Sequence, residues 1–278
     1  MTKSAWRPGT ALQCSAALHV GAAAGVVLAP GLWAPALAAV ALNHAVLAAA
    51  GLWPRSRLLG PNLVRLPAAA VARGEVAVTI DDGPDPNVTP RVLDILEAAD
   101  ARASFFCIGE RAVRHPALVR EIAARGHRVE NHTYHHYHRF PTFGPRRLFE
   151  EIAAAQDCLS DLAGRAPRFF RAVAGLRNPF LDPVLHRLDL HLATWTRRAF
   201  DTRRRDPDEA HAVLTRGLAP GDIFDLHDGN AALSITGRPM ILEVLPRLLA
   251  SISQAGLTAA LLSRGDEARG DVLPSADR

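Results

Sequence analysis

Two stretches of this 278-residue sequence set metal-binding and proton-handling side chains at the ends of short strand-like runs. In the first, residues 75–83 (EVAVTIDDG), a run of β-branched residues ends in the adjacent acids Asp81 and Asp82 and a glycine. Val, Ile and Thr pair well in a sheet whereas Asp and Gly do not, so the strand stops there and delivers both carboxylates to a loop. In sheets of parallel strands, sites collect at such carboxyl ends. Neighbouring carboxylates repel unless a divalent cation or an arginine compensates them. A solvated turn competes with this reading, because DGPDP is rich in turn formers. The second stretch, residues 131–138 (NHTYHHYH), also follows a short alternating run. His132 and His136 are four apart, so on one turn of helix both imidazoles would face the same way and share a metal. With Asp82 they form a two-histidine, one-carboxylate set that leaves positions for water and substrate. The expected ion is divalent, with zinc first and cobalt, nickel or manganese as alternatives.

The elements that must position these residues alternate. The pattern predicts helices over 89–99, 116–125, 145–163, 181–188, 207–218 and 239–255, with Thr89 capping the first and Asp206 opening the fifth. Strands are predicted over 75–81, 103–108, 127–131, 168–171, 191–195, 223–227 and 257–262. Repeated βα units of this length imply a parallel sheet closed, or nearly closed, into a barrel.

Ahead of this unit, residues 11–29 and 32–53 carry no charged side chain when His19 and His44 are neutral, and each is long enough to cross a bilayer. Pro30, Gly31 and Pro35 separate them, and Trp33 and Trp53 fall near opposite interfaces. We read residues 1–53 as a membrane hairpin, 54–73 as a basic linker whose Arg55, Arg57 and Arg65 can meet anionic headgroups or that is simply a solvated connector, 74–265 as the catalytic domain and 266–278 as a disordered tail. A cleaved signal peptide ending near Ala22–Ala24 is the alternative for the first segment. Two spans return the chain to its starting side. The positive charges Lys3, Arg7, Arg55 and Arg57 then favour a cytoplasmic catalytic domain, whereas one span would put it outside. A net charge of +4 with no aromatic-interleaved basic stripe argues against nucleic acid. The three cysteines, Cys14, Cys107 and Cys158, have no paired spacing and read as small buried hydrophobes.

With those residues in place, the chain resembles the NodB-type polysaccharide deacetylases, carbohydrate esterase family 4. TIDDG at 79–83 is similar to the family's T-F-D-D-G and HTYHH at 132–136 to its H-[ST]-x-x-H. FFRAVAG at 169–175 and DIFDLHDG at 222–229 are looser matches to F-R-P-P-x-G and D-I-x-L-x-H-D. The resemblance implies an incomplete (β/α)7 barrel, here preceded by the transmembrane hairpin. It also implies metal ligands Asp82, His132 and His136, a general base Asp81, and Arg171 orienting that base. The backbone N–H at Ala174 would be an oxyanion donor, His227 the general acid, and Asp201 the acid that keeps His227 protonated. For Asp201 a helix cap or plain loop acid competes; His135 and His138 read as solvent-facing.

Departures from the family pattern fall around the acyl and sugar pocket. Val173 replaces a proline, Ala174 an aromatic, Thr202 an aromatic lid, and Arg198 stands where an acid is common. Asp225 occupies the position of a leucine that lines the acyl-methyl pocket, and a carboxylate there needs a partner. Arg197, Arg198, Arg203, Arg204 and Arg205 crowd the segment after Trp195; they suit either a lipid-borne phosphate or a solvated run in which one neutralises Asp225. The expected function is metal-dependent removal of an N-acyl group, acetyl first, from an amino sugar of a glycan or lipid-linked saccharide. The alternative is a catalytically weak descendant that only binds such a sugar.

Overall fold

The computed structural model describes residues 5–264, so the tail predicted at 266–278 lies outside the described residues. The helices α1 (Thr10–Leu28) and α2 (Trp33–Leu52) turn back on each other through a 3-10 turn at Pro30–Leu32. At ~1.5 Å per residue, α1 is about 28 Å long, close to the hydrocarbon thickness of a bilayer. Both helices are apolar and long enough to cross a membrane, and their surface is almost wholly exposed. Across the seam between them Asn43 Nδ2 donates to Ser15 Oγ at 2.8 Å, and the His19 and His44 rings meet edge-on at 5.1 Å. Cys14 stands exposed on α1 rather than buried, because a two-helix hairpin has only one inner face. Cys107 is buried and Cys158 half-buried.

Eight parallel strands follow: β1 (Glu75–Asp81), β2 (Ala103–Cys107), β3 (Arg128–Asn131), β4 (Phe169–Phe170), β5 (His191–Leu192), β6 (Arg197–Arg198), β7 (Ile223–His227) and β8 (Thr258–Ala260). They run in the order β5-β4-β3-β2-β1-β7-β6, with β8 paired to the first half of β1. The sheet curls into an incomplete barrel. Its helices are α4 (Thr89–Ala98), α5 (Gly109–Arg114), α6 (Pro116–Ala124), α7 (Pro145–Ala163), α8 (Leu181–Leu188), α9 (Pro207–Thr215) and α10 (Ile241–Gln254), after a short α3 (Ala68–Ala72) in the linker. The two-residue β6 was not legible in RR, a pair with no strand signature. Thr89 begins α4 without capping it. Its hydroxyl instead accepts from Asp85 N at 2.7 Å and donates to Asp228 Oδ2 at 2.5 Å.

The period-two alternation of a strand sorts the side chains into two sets. Val76, Val78 and Ile80 of β1 and Phe224 and Leu226 of β7 join Leu93, Leu96, Ile122, Leu245 and Leu248 of the surrounding helices in the main core. Ala77, Phe106, Phe169 and Ile223 point the other way and plug the barrel interior together with Leu66, Ala193 and Leu262. Above that plug, the same inward columns carry Thr79 and then Asp81 on β1, and Asp225 and then His227 on β7. The barrel is thus apolar at the strand starts and polar at the strand ends.

The linker is not a free connector. Leu63 N donates to Leu192 O and receives Thr194 N at its own carbonyl, both at 2.9 Å, which adds a strand-like bridge to the β5 edge. Three residues on, Leu66 N donates to Gly221 O at 2.9 Å. Residues 63–66 therefore run from the β5 edge across the open side of the barrel to the turn that leads into β7. Arg65, expected to face headgroups, pairs with Asp222 Oδ1 at 2.9 Å, and Arg197 Nε meets the other carboxylate oxygen at 2.5 Å. Asp222 is 1% exposed, its partners 43% and 17%. Asp222→Ala strands two cations beside that opening; discounted for their exposure, a loss of about 2–3 kcal/mol is expected, read as a lower denaturant midpoint.

Candidate active site

Asp81 closes β1 and is the register partner of His227 at the end of β7. Asp82 follows with φ 72, a left-handed conformation uncommon for a residue bearing Cβ, which turns its carboxylate toward β3. Its Oδ1 lies 3.2 Å from His132 Nε2 and 3.0 Å from His136 Nε2. His132 Nδ1 is 2.8 Å from Arg171 O, a contact that places the ring proton on Nδ1 and leaves Nε2 a lone pair. A lone pair thus faces the buried Asp82 Oδ1, an oxygen with no hydrogen-bond partner among the described residues. Donors arranged so that lone pairs converge fit a divalent cation, and these three can hold one. Against burial, which pushes it up, His132 and His136 hold the Asp82 carboxyl well below the usual carboxylate range. Burial lowers His136, while Asp81 and Asp82 raise His132 despite its burial.

The histidines converge by a different route from the helical turn expected of their spacing. Residues 132–136 are irregular, with Thr133 at φ 65 and His136 at φ 56. Thr133 N donates to Asn131 Oδ1 and His136 N to Thr133 Oγ1, both at 3.0 Å, so side chains replace the helical carbonyls as acceptors. His135 turns to Glu151, 3.0 Å away, and His138 is exposed; both stand outside the trio.

Arg171 is fully buried, not a surface residue. One terminal nitrogen donates to Thr79 Oγ1 at 2.8 Å, Asp81 Oδ1 at 2.6 Å and Asp225 Oδ1 at 3.2 Å, and the other to Thr194 O at 3.0 Å. Its guanidinium lies 4.1 Å from the Phe106 ring centroid. Burial pushes Asp81 above the usual carboxylate range against the pull of Arg171. Asp225 is fully buried and finds its partners in Arg171 and in Arg198 Nε at 3.1 Å. Of the five arginines after Trp195, Arg197 and Arg198 are thus consumed by acids, and Arg204 pairs with Glu209.

His227 Nδ1 lies 2.8 Å from Asp201 Oδ1, and Asp201 Oδ2 accepts the His227 backbone N–H at 2.8 Å. Burial disfavours the imidazolium, yet Asp201, Asp225 and Asp81 raise His227 to about 10. Ala174 sits exposed at φ 54; the amides after it turn inward to Ala172 and Val173 carbonyls. Sequence reasoning missed a supporting shell. Asn230 Nδ2 donates to Asp82 Oδ2 at 3.0 Å, and Arg111 bridges Asp82 O and Asn230 Oδ1 at 2.8 Å each. Asp228, which burial raises to about 7, receives Thr89 Oγ1 and Gly229 N. The polar run after β7 hinted at Asp228 and Asn230; nothing in the sequence marked Arg111.

A model of the family described as Polysaccharide deacetylase matches residues 68–193, a span that holds every site residue named above from Asp81 to Ala174 but stops short of Asp201 and His227. A chitooligosaccharide deacetylase of Azorhizobium caulinodans is 32% identical over 158 residues, covering 56% of this chain and 75% of that protein. A peptidoglycan-N-acetylglucosamine deacetylase of Bacillus cereus is 30% identical over 175 residues, 62% of this chain and 81% of that protein. Among solved structures, a family 4 carbohydrate esterase from Streptomyces lividans in complex with acetate is 28% identical with a TM-score of 0.63, covering 69% of this chain and 95% of that one. The chain belongs to the polysaccharide deacetylases of carbohydrate esterase family 4, hydrolases of carbon–nitrogen bonds.

Asp82→Ala or His132→Ala is expected to weaken divalent-ion binding by about a hundredfold or more, whereas Asp81→Asn keeps it, because ligand and base are separate tasks of adjacent carboxylates. Calorimetric titration with zinc distinguishes the two; full uptake by Asp82→Ala would sink the assignment.

Proposed function

We propose that the chain removes the acetyl group from an N-acetylated amino sugar of the chitooligosaccharide or peptidoglycan type, with Asp81 as general base and His227 as general acid. The observation that carries this reading is the pairing of Asp81 with His227 at the same register of adjacent strands, each held by its own partner. Asp82, His132 and His136 would hold a divalent ion, zinc first, which would polarise the acyl carbonyl and acidify a water. Asp81, oriented by Arg171 and made more basic by burial, takes the proton from the attacking water. The Ala174 N–H donates to the oxygen that gains charge. His227 enters protonated because Asp201 stabilises the imidazolium, and it delivers that proton to the sugar nitrogen as the C–N bond breaks.

The binding-only alternative rests on the charged Asp225–Arg198 pair where the family carries a leucine and an acid. Acetate release from chitooligosaccharides and peptidoglycan fragments by the zinc-loaded protein separates the two readings. His227→Ala should cost about 10²–10⁴ in kcat. In Asp201→Asn the loss of the anion lowers the His227 pKa from about 10. Since the acid works only while protonated, the alkaline limb of the pH–rate profile should move to lower pH by roughly one to three units. An unmoved limb would mean His227 is not the acid.

We read the hairpin as an inner-membrane anchor that returns the chain to the cytoplasmic side, supported by two spans and by Arg7, Arg55 and Arg57 at its ends. In sealed inside-out vesicles, protease should remove the carboxy terminus; protection would place the domain on the other face.

A further inference from the structure

Two loops at the strand-end rim form a raised lip beside the acid. Residues 199–206 follow β6 and residues 229–240 follow β7. They are laced together: Ala232 N donates to Asp201 O at 2.8 Å, Ile235 N to Arg205 O at 2.9 Å, and Arg205 Nε to Leu233 O at 3.1 Å. Ser234 and Thr236 both donate to the Glu243 carboxylate. A lip so tied holds three large apolar side chains in water, Phe200 at 50%, Leu233 at 54% and Ile235 at 74% exposure. Phe200 is also at φ 56, a strained conformation for an aromatic residue. Arg203 and Arg205 on the first loop and Arg238 on the second are exposed as well. Of the acids on or beside these loops, Glu209 pairs with Arg204, Asp206 caps α9 through the Asp208 and Glu209 amides, and Glu243 keeps its charge while accepting from the two hydroxyls.

The lip is connected by direct contacts to the end of the hairpin. Pro54 and Trp195 both flank Gly175, the Arg198 guanidinium lies 4.7 Å from the Trp195 centroid, and it lies 5.3 Å from that of Phe200. Trp53, 61% exposed, ends α2 immediately before Pro54. Exposed apolar side chains on loops that also carry exposed arginines, joined by these contacts to the end of a helix able to span a membrane, match the chemistry of an anionic lipid interface: tails take the Phe, Leu and Ile, and headgroup phosphates take the guanidinium groups.

We propose that this lip is a second membrane contact, seated in the anionic interface of the bilayer that holds the hairpin, so that the mouth of the site lies at the lipid surface. The proposal rests on the hairpin spanning the membrane and not on the deacetylase reading. It is tested on the full chain reconstituted in vesicles of phosphatidylglycerol and phosphatidylcholine, with a fluorophore on single cysteines and a nitroxide quencher on the lipid near the headgroup. In a Cys158→Ala background, native Cys14 reports the hairpin. With Cys14→Ala added, Ile235→Cys or Leu233→Cys reports the lip, and Ser253→Cys reports the opposite end of the barrel, where α10 finishes. The lip labels should lose roughly half their emission or more, as the Cys14 label does, while the Ser253→Cys label keeps its own. Lip labels as bright as the Ser253→Cys label beside a quenched Cys14 label overturn the lip alone. A bright Cys14 label together with bright lip labels removes the hairpin reading and the lip with it. Lip labels untouched by the lipid quencher but shielded by added chitooligosaccharide would make the lip a glycan surface and likewise overturn the proposal.

Discussion

The burial of one guanidinium sets the terms for the rest of this barrel. Arg171 lies at the centre with no exposed surface, and a charge that deep is tolerable only if almost every donor is satisfied. Its neighbours supply the acceptors: Thr79, Asp81 and Asp225 on the inner columns of β1 and β7, and the carbonyls of Ala193 and Thr194 beyond β5. The three side-chain acceptors must point inward, so the requirement fixes the facing of β1 and β7 at once. A one-residue slip of β7 would replace Asp225 by an apolar neighbour and leave the cation short of an anion. The carbonyl of the same arginine orients His132, so this residue joins the base to the candidate metal trio.

The charge balance around Arg171 also explains why the odd residues of the pocket occur together. Asp225 in place of a leucine would be untenable beside Asp81 with only one cation between them. Arg198 supplies the second, from β6. Asp225 and Arg198 are thus a compensated pair.

Much of this was legible in the sequence, and what was not has physical reasons. The inward positions of Asp81 and His227 follow from strand alternation, and the ends of α7 from Pro145 and Gly164, whereas α8 stops at Asp189 in a left-handed turn that no glycine marks. The 132–136 segment was misjudged because spacing of four suits a helix, whereas two side chains capture the amides and bend the backbone left-handed. Arg65 was misjudged because its partner, Asp222, is 157 residues away. Asn230 and Arg111 belong to the site only through the way the rim folds over Asp82.

The linker has a consequence for how far the active site can travel. Twenty flexible residues between an anchor and a domain would let the domain roam roughly 25 Å from its attachment point. Here that slack is absent, since residues 54–66 are held to the barrel by Thr194 Oγ1 on Asn62 Oδ1, by Arg177 on the Ser56 carbonyl, by the Leu63 bridge and by Arg65 on Asp222. Arg177 N bonds Gly51 O at 3.1 Å, so the last turn of α2 is part of the same rigid body as the loop carrying Ala174. With the hairpin in a bilayer, the enzyme searches in two dimensions. On that reading it would meet only glycans that lie in or against its own leaflet.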